Sequence, residues 1–421
     1  MQWNYAAARR VGWIALVIAA AAYYPRFAKD AGDGPVLGGL ALLRHGAECL
    51  LSNQVLQDCD LAFTYPPFLA SMMAPFFLVG QTAATVGWYL VAVLATVASY
   101  QICEALVRRL FDGEWSEHEL AWLRTCSLIL SLKFILAVLE NQGFDELILL
   151  LIVIGLWGLV DKREIPAGLS FGVAAAMKAS PLIFLPYLLG TRRYVAFAVM
   201  LGSYLALSFL PDLFFTPVGA PHGYYLTWFR EIAMGPLHDD TQISKYIFWS
   251  GPNSNNQSLR GLINRIFPDT FWDPRFRATV IATSITVLFV TSLMIWRSMR
   301  KGGLIAVDGA IVIIAMLALS PMTSRSHFVA LMLPYTVCCA AVIREPQIRR
   351  SGIAVLAVSF VLATATGNDL VGGAFTDWAY NLGSITFGSL VLLVYLGLIV
   401  NRGLSRAVVN AQPGGLSRVP G

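Results

Sequence analysis

The chain has 421 residues, of which 57% are hydrophobic and only 13% charged, and its mean hydropathy is +0.64. Soluble domains carry about 25% charged residues, so a water-soluble globular protein is excluded. The formal net charge of +5 lies in short clusters between apolar runs, which speaks for orientation in a membrane rather than for nucleic-acid binding.

Apolar runs near the ~20 residues needed to cross a bilayer recur from end to end without the alternation of a barrel strand, so the spans are helices. The first, "VGWIALVIAAAAYYP", follows Arg9 and Arg10. Its aromatic exit, with no small-residue cleavage site, reads as a retained helix rather than a cleaved signal. Basic clusters recur at Arg108/Arg109, Lys162/Arg163, Arg192/Arg193, Arg297/Arg300/Lys301, Arg344/Arg349/Arg350 and Arg402/Arg406. Placing them all in the cytoplasm predicts spans at about 11–27, 84–107, 121–139, 146–160, 194–211, 278–296, 304–319, 327–343, 352–367 and 384–400. Both termini then face the cytoplasm. The whole chain, 1–421, reads as one multi-pass unit of the inner (plasma) membrane, with large external loops over about 28–66 and 212–277 and a tail over about 402–421.

Two stretches resist simple counting. "AGLSFGVAAAMKASPLIFLPYLLG", between Arg163 and Arg192, is too long for one straight span and too short for two, and it holds Lys178 and Pro181 at its middle. It predicts a hairpin of two short helices. "PPFLASMMAPFFLVG" must begin and end outside to keep the basic clusters together, which predicts a re-entrant or partly inserted segment.

Chemistry-bearing residues gather toward the external face. The first loop carries Asp30, Asp33, Asp58 and Asp60 around an amphipathic middle, with Tyr65 at the membrane entry. The plainer reading of each acid is a solvated loop residue. "DCD" also fits the metal-holding D-x-D pattern of soluble sugar transferases, a short motif that arises by chance. Cys49 and Cys59 share this loop, either as a disulfide of an oxidising compartment or as two thiols. In "LENQGFDELILLL", Asn141 and Gln142 offer the donors and acceptors that suit sugar hydroxyls, while Asp145 reads as the cap of the following helix. Lys178, placed mid-hairpin, needs an anion or water to offset burial, or else snorkels to a headgroup. The second large loop combines aromatics with an amide run, Asn256 and Gln257, followed by Arg260. Arg325 and His327 stand at the external end of a span, where they can clamp an anion or bind a hydroxyl.

The order of these motifs resembles glycosyltransferase family 87, of the membrane-embedded C-type superfamily. The residues that carry the likeness are "FTYPPF" (63–68), "NQGFDELILLL" (141–151), "PAGLSFGVAAAMKASPLIFLPYLL" (166–189), "NNQSLRGLINR" (255–265) and "LSPMTSRSHFVALMLPY" (319–335). The resemblance implies an all-α polytopic C-type fold with about twelve transmembrane helices and re-entrant or interfacial helices in the first external loop. It also implies a periplasmic active site and inverting transfer of a sugar, mannose first, from a polyprenyl-phosphate donor to a lipid or glycan acceptor. Its presumed base is a first-loop aspartate followed by an apolar stretch ending in Gly. "DGPVLGGLALLRHG" fits that pattern best, placing Asp33 first, then Asp30, then the Asp58/Asp60 pair. Val36 and Leu37 stand where the family commonly has an aromatic, and Ser324 and Arg325 where an aromatic often precedes the histidine. Lys178, Arg260 and Arg325 are the expected phosphate ligands. Asn141, Gln142, Asn256, Gln257, His327 and Tyr65 are the expected sugar or acceptor contacts. One carboxylate suffices for an inverting displacement, so no cofactor and no obligatory metal is expected, and the donor counts as a substrate. The rival class is a polytopic transporter or lipid flippase. It would string ionisable groups across the midplane rather than gather them at one face.

Overall fold

A computed structural model describes residues 21–29, 39–59, 63–111, 113–220, 222–234, 253–267 and 274–402. Asp30, Asp33 and Asp60 lie outside the described residues. The elements in chain order are α1 (21–29), α2 (Gly39–Leu51), α3 (Leu56–Cys59), α4 (Pro67–Phe77), α5 (Gln81–Leu110), α6 (Glu117–Glu140), α7 (Asp145–Val160), α8 (Glu164–Met177), α9 (Phe184–Gly190) and α10 (Tyr194–Phe209). They continue with α11 (Gly223–Trp228), α12 (Leu259–Ile266), α13 (Pro274–Arg300), α14 (Ile305–Leu319), α15 (Met332–Arg344), α16 (Arg349–Ser359), α17 (Asn368–Val371), α18 (Gly373–Asn381) and α19 (Ser384–Arg402). A tight 3₁₀ segment, Arg325–Leu331, leads into α15. Among the described residues there is no strand.

Among the described residues, five helices are long and apolar enough to cross a membrane: Gln81–Leu110, Glu117–Glu140, Pro274–Arg300, Arg325–Arg344 and Ser384–Arg402. Their burial differs sharply, from 6% of the most apolar stretch in Pro274–Arg300 to 89% in Arg325–Arg344. The latter is therefore the central post of the bundle, and the former lies along its apolar outer surface.

Contacts between basic residues and their partners define one end of the bundle. Arg109 pairs with Asp161, Arg193 with Glu164 and Arg344 with Glu119. Arg297 donates to Asn401, and Arg402 to Gln347. These clusters come from turns far apart in sequence, so the chain brings them to a common face. Helices leaving that face end at the opposite one, where the chemistry-bearing turns meet.

The stretch between Arg163 and Arg192 is the expected hairpin. Its first arm, α8, is held against α10 by Gly168 and Gly172, one helical turn apart. A Cβ on Gly168 would sit 2.6 Å from the Ala196 carbonyl, and one on Gly172 2.8 Å from that of Met200. Small residues at this spacing let two helix backbones approach where lipid offers no hydrophobic drive. At Lys178 the backbone turns extended (φ −152°, ψ 124°), and Pro181 sits inside the 3₁₀ turn Ser180–Ile183 that begins the return arm. Fourteen residues of α8 climb about 21 Å at 1.5 Å per residue. Lys178 is therefore carried most of the way to the opposite face. "PPFLASMMAPFFLVG" forms α4, a helix of 11 residues. At about 16 Å long it is short of a bilayer crossing, and it packs on α2.

Cys49 and Cys59 are bonded, which settles the alternative between disulfide and free thiols. The bond ties α2 to α3. Disulfides persist in oxidising compartments, which agrees with an external first loop.

Candidate active site

Three turns converge at the face opposite the basic clusters. The first is the α6–α7 turn, "NQGF". Gln142 takes a left-handed conformation there (φ 48°), and Asp145 becomes the first residue of α7 without a side-chain capping bond. The expected cap is thus not made. Instead the Asp145 carboxylate turns to Lys178 at the summit of the α8–α9 hairpin, whose Nζ donates to Oδ1 at 2.6 Å. Both side chains are nearly buried, at 10% and 13% exposure. The buried Ser326 hydroxyl faces the carboxylate in a looser geometry than an ordinary hydrogen bond. The positive end of α7 adds to the stabilisation of a negative charge at its first residue.

The third turn is 320–327. The Ser324 N–H donates to His327 Nδ1 at 3.1 Å, so in the neutral ring the proton resides on Nε2. That nitrogen lies 3.7 Å from Asp145 Oδ2. The imidazole, ammonium and carboxylate form one buried group, and Phe144 places its ring 5.6 Å from the Lys178 ammonium. Tyr65 packs edge-on to Phe144 at 4.9 Å. Burial, and then the Asp145 carboxylate, push its phenol above the ordinary range.

A small cleft opens on this group, lined by Asp145, Lys178, Ser180, Ser320, Thr323 and His327 with Ile148, Met316, Leu317 and Ala330. One wall is apolar and the other presents an ammonium, an imidazole and hydroxyls. The ammonium and the imidazole offer donors to an anion that enters this cleft.

The other residues nominated from sequence fall into distinct places. Gln142 is buried and donates from Nε2 to the Phe27 carbonyl at 2.6 Å, while its own carbonyl accepts from Trp88 at 3.1 Å. The Asn141 carbonyl accepts from the Gly39 N–H at 3.0 Å. The chain on either side of residues 30–38 is thereby pinned to the turn that carries Asp145. A side chain on Gly39 would collide with the carbonyls of Asn141 and Gln142, so the close approach requires glycine.

Asn256 and Gln257 are also buried, and their amides hold backbone. Asn256 donates to the Pro321 carbonyl at 3.1 Å and accepts from the N–H of Thr323 at 3.1 Å. Gln257 donates to the Tyr380 carbonyl at 2.8 Å, and its backbone N–H to that of Thr323 at 2.7 Å. They clamp the 320–324 loop that carries part of the cleft. Arg260 lies on α12, partly buried, and Arg325 opens the 3₁₀ turn two residues before His327. Asp58, at the end of α3, is exposed.

The sequence matches the profile of glycosyltransferase family 87 over residues 63–321. The chain belongs to that family. A curated relative from Mycobacterium tuberculosis, a polyprenol-phosphate-mannose-dependent alpha-(1-2)-phosphatidylinositol pentamannoside mannosyltransferase, is 28% identical over 319 residues, covering 74% of this chain and 65% of the relative. Its namesake from Mycolicibacterium smegmatis is 27% identical over 280 residues, covering 65% and 60%. A phosphatidylinositol mannoside mannosyltransferase of M. tuberculosis, also polyprenol-phosphate-mannose-dependent, is 25% identical over 284 residues, covering 64% and 60%. The chain thus spans less than two thirds of the length of these relatives. No solved structure matches it.

Within the site, sequence reading missed Asp145 as a partner of Lys178. The signal was present in the helix lengths. Sixteen residues of α7 descending and fourteen of α8 returning bring the two side chains to similar heights.

Proposed function

We propose that this member of glycosyltransferase family 87 moves a sugar, mannose first, from a polyprenyl-phosphate donor to a lipid-linked acceptor at the external face of the plasma membrane. The observation that carries this reading is the buried Lys178–Asp145–His327 group opening into a cleft beside the anchors of the first loop. Breaking a glycosyl phosphate leaves negative charge on phosphate and positive character on the anomeric carbon. In our reading the leaving phosphate rests against Lys178 and the Nε2–H of His327, in a setting where water no longer weakens the attraction.

Asp145 is then a positioning residue. Its oxygens already accept from Lys178 and face His327 and Ser326, which leaves it poorly placed to take a proton from the acceptor. That role falls to an aspartate of the first loop, with Asp33 ahead of Asp30, Asp60 and Asp58, because the chain flanking 30–38 is fastened to the α6–α7 turn. The acceptor hydroxyl attacks from the side opposite the phosphate while the aspartate removes its proton. Charge stabilisation is assigned to protein cations, with no obligatory metal. Arg260 and Arg325 are further cations that a lipid phosphate can use, and Asn256 and Gln257 act by holding the 320–324 loop. About twelve crossings, with the basic clusters in the cytoplasm and short helices of the first loop at the external surface, complete this reading.

The test is transfer of radiolabelled mannose from polyprenyl phosphate in membranes bearing the wild type or Asp33→Asn. The expected result is transfer by the wild type and a loss of at least about a hundredfold in the variant. Undiminished transfer by Asp33→Asn would remove that residue as base. Absence of turnover with any polyprenyl-phosphate sugar would remove the reading itself.

A further inference from the structure

Lys133 is a cation for which the site described above has no use. It lies in the apolar run "SLILSLKFILAVLE" on α6, seven residues before the helix end at Glu140, so about 10 Å below that end. Its Nζ donates to the Ala363 carbonyl at 2.6 Å and to Thr366 Oγ1 at 3.2 Å. The ring centre of Tyr380 is 5.1 Å away. The buried Tyr380 hydroxyl faces the Arg325 guanidinium in a looser geometry than an ordinary hydrogen bond. Arg325 is within electrostatic reach of Lys133. Arg265 approaches the same turn and donates to the Asn381 carbonyl at 2.9 Å.

Among the described residues no ion pair joins Lys133 or Arg325 to a carboxylate. Asp377, the acid that acts on Tyr380, is exposed. Among the described residues, partly buried Lys133 has two neutral oxygens and the Tyr380 ring about it, and partly buried Arg325 the loosely placed Tyr380 hydroxyl, a costly arrangement for two cations unless an anion completes it. An ammonium has three donors. Two are taken by Ala363 and Thr366, which leaves one, together with the guanidinium fork, for a ligand. The surroundings are those of a lipid. Phe375, Trp378 and Leu382 are exposed beside Tyr380, as are Ile129 and Leu132 beside Lys133.

We propose that Lys133 and Arg325, with Tyr380 between them, form a second phosphate subsite that takes the phosphate of a membrane lipid, separate from the Asp145–Lys178–His327 centre. The 3₁₀ turn 325–331 divides the two, with Arg325 serving one and His327 the other. The proposal rests on the transferase reading for its two sources of phosphate, the phosphodiester of an acceptor lipid headgroup and the phosphate of the polyprenyl donor. Their shared chemistry is a phosphate anion on an apolar tail, which suits a guanidinium fork and an ammonium together.

The experiment titrates the purified full chain, by native mass spectrometry, with phosphatidylinositol, with polyprenyl phosphate and with diacylglycerol as the phosphate-free control. Wild type, Lys133→Gln, Lys133→Arg and Arg325→Gln are compared, each with its melting temperature. Lys133→Gln and Arg325→Gln should weaken one phospholipid roughly tenfold, leave diacylglycerol unchanged, and lose nothing in Lys133→Arg. Weakened phosphatidylinositol identifies an acceptor-type phosphodiester, and weakened polyprenyl phosphate identifies the donor. Unchanged affinity for both, with a lower melting temperature, would reduce Lys133 to a cap on the Ala363 carbonyl and overturn the proposal. Lys133-dependent binding in a protein that transfers no sugar would leave the subsite standing and remove the transferase reading.

Discussion

Lys178 and Lys133 occupy comparable positions, each within an apolar run and each beside the 325–331 turn, yet their surroundings differ. Lys178 meets a carboxylate at 2.6 Å and overlooks a cleft. Lys133 meets a carbonyl and a hydroxyl. A buried cation with a fixed counter-ion is part of the frame and can hold a histidine in place. A cation supplied only with neutral oxygens keeps an appetite for an anion. The same residue type therefore predicts opposite consequences of mutation, and the contrast can be broken from either side.

The largest effect is expected for Asp145→Ala, which strands the Lys178 ammonium. Breaking a buried pair from one side costs about 3–5 kcal/mol, so the melting temperature should fall steeply and sugar transfer should vanish with it. His327→Ala should lower turnover by about a hundredfold, the usual loss when a donor to developing charge is removed, while the melting temperature moves little. A large drop in stability with normal turnover per folded molecule would instead make His327 a packing residue. Gly39→Val should cost about 1–3 kcal/mol by overpacking against the Asn141 and Gln142 carbonyls, and activity should fall further than stability because the first loop is displaced. Gln142→Leu should be mildest. It removes a hydrogen bond to the Phe27 carbonyl and leaves that acceptor unpaired, at about 1–3 kcal/mol on denaturant melts, with partial activity retained.

Much of this architecture was legible from residue order. The α8–α9 hairpin followed from Lys178 and Pro181 in a run of the wrong length, and the basic clusters among the described residues lie together at one end of the bundle. The pairing of Lys178 was not legible, because a carboxylate at a helix start reads equally as a cap, and only packing decides which way it points. Asn256 and Gln257 illustrate the same limit. Amides that suit sugar hydroxyls are equally suited to backbone carbonyls, and here the nearest polar groups are those of Pro321, Thr323 and Tyr380. Lys133 went unremarked inside its run, since a single lysine hardly lowers the hydropathy of a span. A mid-span cation with no acid in the neighbouring turns is the signal that would have exposed it.

The central claim is that Lys178 and Asp145 serve a phosphate-bearing donor rather than merely each other. The paired replacement Lys178→Met with Asp145→Leu tests it directly, because exchanging a buried ion pair for apolar side chains of similar volume is commonly neutral or stabilising. The account predicts a double variant that melts at or above the wild-type temperature and transfers no mannose from polyprenyl phosphate. A double variant that is equally stable and fully active would contradict it.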